Sequence, residues 1–274
     1  MSLSLGRYSN QSGFGLNLYS NLAQRKIGFA GKQETANNHY HISTNDCNSD
    51  ANTTGFATNV GTNGHNSNAT ANAESSNAST NGLHSSATTN SPCSNASTNN
   101  EFSNATANAD NSSTSTNGNN SNATANADNS NTSTNGWNSH ASTIAKFSNA
   151  SANGLSSKAT TKGPRSNAST NGENSDATTE GLRSNASANG DKSRAKTSDE
   201  NSVACALGIQ GRAMARKGWI VIADRTNTGE IKEIYRAKVG AEGEQGKIKG
   251  IPIRPSTWYW LENGHLESLR PTPM

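Results

Sequence analysis

A chain of 274 residues with only 30% hydrophobic and 5% aromatic residues cannot bury a large oily core, and Ser, Asn, Thr, Ala and Gly dominate it. That composition argues against an ordinary globular enzyme and leaves two classes, a disordered chain or a repetitive fold. The formal net charge of +3 is too small to select a partner, no Lys or Arg occurs between Lys32 and Lys146, and no run interleaves basic with aromatic residues, so a nucleic-acid partner is not expected.

In chain order, Met1-Ser-Leu-Ser-Leu-Gly-Arg7 lacks an apolar run of signal-peptide length. No segment approaches the roughly 20 apolar residues of a membrane span, so no membrane contact is expected. Residues 12–19 alternate, and residues 21–29 read as a short helix or a degenerate coil. Residues 1–38 are therefore expected to form an N-terminal cap. The three cysteines (Cys47, Cys93 and Cys205) do not form a disulfide framework, which favours a reducing, cytoplasmic setting.

From residue 39 the chain divides into nines without a gap. Asn66-Ser-Asn-Ala-Thr-Ala-Asn-Ala-Glu74 is followed by Ser75-Ser-Asn-Ala-Ser-Thr-Asn-Gly-Leu83, and twenty such units fill residues 39–218. Position two is Ser in 17 units, position four is Ala in 16, and position six is always Thr or Ala. No charge occurs at these three positions, whereas disorder would tolerate charge anywhere. Alternate residues of a strand face opposite ways, so positions two, four and six face inward and three, five and seven face out. Gly is commonest at position eight, where the chain must turn, and positions nine and one complete the corner.

Position five alternates between units. It reads Ser79, Ser97, Ser115, Ser133, Ser151, Ser169, Ser187 in one set and Thr70, Thr88, Thr106, Thr124, Ser142, Thr160, Thr178 in the other. The true period is therefore a double unit, with two strands and two turns. The expected fold is an all-β, two-sheet parallel β-solenoid of about ten such 18-residue coils. Its two faces differ. The Ser face carries Asn77-Ser79-Asn81, Asn95-Ser97-Asn99, Asn131-Ser133-Asn135, Asn149-Ser151-Asn153 and Asn167-Ser169-Asn171, with no outward charge from Asn59 to Asn189. The Thr face holds nearly all the outward charge, including Asp50, Lys158, Lys162, Asp176, Glu180, Arg194, Lys196, Arg212 and Arg216.

Open solenoid ends expose strand edges and need caps. Residues 219–274 predict a small antiparallel β domain. Residues 219–225 and 230–239 are strands around a turn at 226–229, and residues 247–253 form an edge pair. Residues 257–261 and 265–269 form a hairpin about Asn263-Gly264. Val203, Cys205 and Leu207 break the polar outward rule, with Ile209 at the corner. They and Trp219 are expected to dock this cap, the alternative being an oligomer contact.

The junction Asn201-Ser-Val-Ala-Cys-Ala-Leu-Gly-Ile-Gln-Gly-Arg-Ala-Met-Ala-Arg-Lys-Gly218, running into Trp219-Ile-Val-Ile-Ala, resembles uncharacterised nonapeptide-repeat proteins of bacteria and phages. In those a short β domain ends in a Trp-Tyr-x-Leu hairpin, as at residues 258–261 here. More distantly the repeat is similar to the heads of trimeric autotransporter adhesins. The resemblance implies a solenoid, a phage or bacterial origin and thus a virion-associated alternative to a cytoplasmic location. It implies no activity.

Chemistry is sparse. Calcium-binding nonapeptide rolls carry an Asp ladder that this repeat lacks. His39 and His41 have no third metal ligand, the cysteines occupy different repeat positions, and no catalytic constellation stands out. Neither catalytic residues, metal nor cofactor is expected. The Asn-Ala-Ser/Thr sequons follow from the repeat register. The expected function is a non-enzymatic structural or interaction rod acting by self-association or on a protein partner through the neutral Ser face. Ice binding by that flat hydroxyl face is one alternative, and an adhesin or tail-fibre-like glycan binder is another.

Overall fold

The computed structural model describes the backbone of residues 16–18, 24–28, 33–35 and 40–271, and side-chain surroundings from residue 41 onward. It is a parallel β-solenoid of about ten coils with antiparallel strands at the C-terminus. Two compact units divide the chain at residue 134. In the first, Asn77–Thr80 pairs in parallel with Asn95–Thr98, and Asn104–Ala107 with Asn122–Ala125, residue for residue one coil apart. In the second, Asn149–Ala152 pairs with Asn167–Thr170, and Lys158–Thr161 with Asp176–Thr179, in the same register.

Each nine-residue unit makes a four-residue strand on positions three to six, and its burial alternates as the charge pattern requires. In Asn122–Ala125 the four residues run exposed, buried, half-buried, buried. The interior is a file of alanines, of which Ala69, Ala87, Ala123, Ala159 and Ala177 are fully buried. Larger aliphatic side chains at position four, Ile42 and Val60, occur only in the first coils.

The corners differ from expectation in their mechanism. A left-handed residue stands at position one of nineteen consecutive units from Asn48 to Gln210, with φ between 51° and 60°, and none of them is Gly. Eight are Asn, which tolerates this region best among non-glycine residues. The conformation costs about 1 kcal/mol or more elsewhere. Here it aims the corner N–H at the next coil, as in Asn66 to the Leu83 carbonyl and Arg165 to the Leu182 carbonyl, both 2.9 Å. The glycines of position eight do not have positive φ. They serve close stacking, since a Cβ on Gly82 would lie 1.8 Å from the Gly64 carbonyl oxygen, and one on Gly172 2.0 Å from that of Gly154. Alanine fills position eight at 73, 109, 127 and 145, so a Cβ is accommodated at that position in other units of the repeat.

The inward Ser of position two ties the coils together. Ser166 Oγ accepts the Ser148 N–H at 3.0 Å and donates to the Ala145 carbonyl at 3.0 Å. Ser85 does the same for the Ser67 N–H and the Gly64 carbonyl, at 3.0 and 3.1 Å. In such Ser units one hydroxyl thus satisfies a buried donor and a buried acceptor that the short strands leave over. The inward Thr of position six is different. The hydroxyls of Thr62, Thr80, Thr98, Thr143, Thr161 and Thr179, among others, are buried and have no hydrogen-bond partner.

At the N-terminal end, strand pairing begins before residue 39. Gln33–Thr35 pairs in parallel with Asp50–Thr53, with Gln33 one full coil before its partner Ala51. Gln24–Gly28 pairs in parallel with Tyr40–Thr44, Gln24 facing Tyr40, and Leu16–Leu18 adds to it antiparallel. Within the stretch 21–29 that reads as a short helix or a degenerate coil, residues 24–28 form a strand, and residues 1–15, 19–23, 29–32 and 36–39 lie outside the described residues.

At the C-terminal end, Trp219–Arg225 first continues the solenoid, pairing in parallel with Val203–Ala206, and only then does Ile231–Lys238 turn back antiparallel. The other sheet is closed by Trp258–Glu262, antiparallel to Arg212–Ala215 at Ala213↔Tyr259, and then by His265–Leu269. The Asn263-Gly264 hairpin forms as the sequence predicts, with φ of 49° and 79°. Lys247–Ile248 and Ile251–Pro252 make a separate two-stranded pair. Ile220, Ile222, Ile248, Ile253, Tyr259 and Leu261 are buried in one cluster with the alanine file of the second unit. The cap core is thus continuous with the solenoid interior rather than a separate one.

Candidate interaction faces

On the Ser face the outward Asn residues form ladders. In the first unit Asn77 Nδ2 donates to Asn59 Oδ1 at 2.8 Å and Asn95 to Asn77 at 3.0 Å. In the flanking column Asn81 donates to Asn63 at 2.9 Å and Asn99 to Asn81 at 2.8 Å. Two strands further in that sheet Asn131 and Ser133 pair with Ser113 and Ser115 of the intervening strand Ser113–Thr116. The second unit repeats the arrangement. Asn167 donates to Asn149 at 3.1 Å, Asn153 to Asn135 at 3.0 Å and Asn171 to Asn153 at 3.0 Å.

These ladders all run one way, each amide donating to the residue one coil earlier. That fixes the rotamers and leaves Asn81, in the flanking column, one N–H and one acceptor site for the outside, whereas the oxygens of Asn77 and Asn167 each accept two N–H groups from the next coil. Between the columns stand the hydroxyls of Ser79, Ser97, Ser133, Ser151 and Ser169, which bond to nothing among the described residues. Ser79 is exposed and the others half-buried. In the first coils Gly61 replaces the Ser and opens a shallow hollow lined by His41, Ser43, Asn59, Asn77 and Ser79.

Val203, Cys205, Leu207, Ile209 and Trp219 are all half-buried. The structure sets Val203 beside Trp219 and Cys205 beside Val221 in one sheet. The cap strand therefore flanks this apolar group, and Arg225 holds it by donating Nε to the Leu207 carbonyl. Burial pushes the Cys205 thiol pKa up. Cys47 and Cys93 are exposed and all three thiols are free.

The Thr face of the second unit holds what the sequence does not reveal. Arg212 lies over the Trp260 ring, 4.5 Å from its centroid, and Arg194 over Trp258 at 5.8 Å. Arg194 also grips Asp176 with Nε and Nη2, at 2.7 and 2.6 Å, and this hydrogen-bonded pairing raises its pKa further. His140 on the same face has its pKa lowered by burial and by Lys158. The alternation in Trp258-Tyr259-Trp260 signals that both Trp share a face. Which surface they meet, far earlier in the chain, is set by the docking of the hairpin.

Among the described residues no group of three or more His, Cys, Asp or Glu gathers as metal ligands, and no helix is long and apolar enough to cross a membrane. His39 of the weak His pair lies outside the described residues. Comparison of the chain with family models, with curated proteins and with solved structures gives no match.

Proposed function

We propose that the protein is a non-enzymatic interaction scaffold whose neutral Asn-Ser-Asn face meets a second copy of the chain. The observation that carries this reading is the column of unpaired Ser hydroxyls set between Asn ladders whose amides are already held in place. A surface that is uncharged and whose Asn rotamers are held by ladders loses little side-chain entropy on contact, and polar ladders of this kind pair face to face in stacked sheets. The half-buried apolar group at Val203, Cys205 and Trp219 extends the same face and adds an apolar element to it.

Sedimentation equilibrium tests the reading. The native chain is expected to self-associate, and Ser151→Lys combined with Ser169→Lys is expected to shift it to monomer, because charges would oppose charges across the contact. Thr160→Lys on the other sheet is expected to leave association unchanged. A native monomer, or an oligomer indifferent to the double substitution, contradicts the proposal.

A further inference from the structure

The Thr face of the second unit offers a surface of different chemistry, independent of the Ser face. The last two solenoid strands of its sheet, Arg194–Thr197 and Arg212–Ala215, pair in register. Outward positions three, five and seven there bring Arg194, Lys196, Arg212 and Arg216 together. Lys158 and Lys162 stand on the same face two strands earlier. The hairpin then adds Trp258 and Trp260 beside them. Basic and aromatic residues absent from one another's neighbourhood in sequence are thereby interleaved on one surface.

Most of that charge is also unneutralised. Arg194 is paired with Asp176. Lys158, Lys162, Lys196, Arg212 and Arg216 have no carboxylate within ion-pair distance among the described residues. The facing acids are few: Asp176 is held by Arg194, Glu262 accepts from Gln210 Nε2 at 3.0 Å, and Glu180 and Glu267, the latter cross-strand from Trp260, remain. Trp260 fixes the Arg212 guanidinium plane at the surface by cation–π contact. Arginine so presented matches phosphate oxygens in a fork geometry that a lysine does not offer. The face is built of strands paired in register and presents cations rather than an element that enters a groove, so it is suited to backbone contact rather than to base identity.

We propose that this face holds the phosphate backbone of single-stranded nucleic acid, with Lys196, Arg212 and Arg216 as the central cations and Lys158 and Lys162 extending the track. The experiment is fluorescence anisotropy of a labelled 20-nucleotide oligo-dT titrated with the full chain. Five phosphate contacts predict that raising salt fourfold weakens binding by roughly 100-fold on single strands. Lys196→Glu with Arg216→Glu, two half-buried or exposed outward positions, is expected to weaken binding at least tenfold while the melting temperature and circular dichroism stay native. Lys146→Glu with Arg183→Glu, a charge reversal of equal size at exposed corner positions outside both faces, is expected not to weaken it, which separates this surface from a general effect of net charge. No binding at low salt overturns the proposal. So does binding that survives the double charge reversal, or displacement by dextran sulfate as effective as by unlabelled oligo-dT at equal charge.

Discussion

Position two and position six of the repeat are both buried hydroxyl residues, and the structure gives them opposite worth. Ser166 satisfies a buried N–H and a buried carbonyl at once, so Ser166→Ala strands two backbone groups. It is expected to cost about 2 kcal/mol, measured by chemical denaturation. Thr161 is fully buried and its hydroxyl has no partner. Thr161→Val keeps the shape and removes the unpaired group, and is expected to leave stability unchanged or raise it by up to about 1 kcal/mol. A pattern of small inward residues shows that both positions face in. It cannot tell a working hydroxyl from an idle one, because that depends on atoms in the neighbouring coil.

Cysteine reactivity belongs to the same scale. Cys205 is half-buried with its pKa raised by burial, and the thiolate is the reactive form. At neutral pH a thiol reagent is expected to modify Cys47 and Cys93 quickly and Cys205 slowly, with the slow phase accelerating as pH rises through the elevated pKa. Mass spectrometry of the labelled sites against time checks this. Equal rates at all three would mean that the Val203–Ala206 strand is open to solvent on its outward side.

At the scale of the strand and corner, most of the architecture is legible in the sequence. Exclusion of charge from positions two, four and six locates the inward set, and parity at position five gives the coil seen in pairings such as Asn95↔Asn77. The cap hairpin is legible because Asn263-Gly264 has a local conformational reason. Two features are not. Composition points to Gly at position eight as the turn, whereas the left-handed residue is at position one and is filled by Asn, Phe, Arg or Cys alike. The preference is masked because the fold imposes the conformation through hydrogen bonds between coils. The Trp219 strand reads as the first of a separate domain. It is a further parallel rung, since its inward Ile220 and Ile222 prolong the interior file.

At the scale of the whole molecule, each coil packs on its neighbours, so stability is close to a sum of nearest-neighbour terms. Removing one full coil, residues 156–173, keeps every Ser strand over a Ser strand and every Thr strand over a Thr strand. That deletion is expected to fold, with a melting temperature slightly below native. Removing a single nonapeptide, 165–173, places the two face types in one sheet and presents the wrong sheet to Trp219 and Trp258. It is expected to unfold at a markedly lower temperature or to fail to fold, as circular dichroism would show.

By itself the sequence determined the solenoid, its coil length and its two unlike faces. Those properties are written in which positions tolerate charge, and that is a local consequence of strand alternation. The tertiary structure decided how those faces are finished. Stacking of successive coils engages the Asn amides in ladders and leaves the Ser hydroxyls between them unpaired. Docking of the terminal hairpin sets Trp258 and Trp260 against Arg194 and Arg212. Both outcomes depend on contacts between residues far apart in the chain, and no local pattern records them.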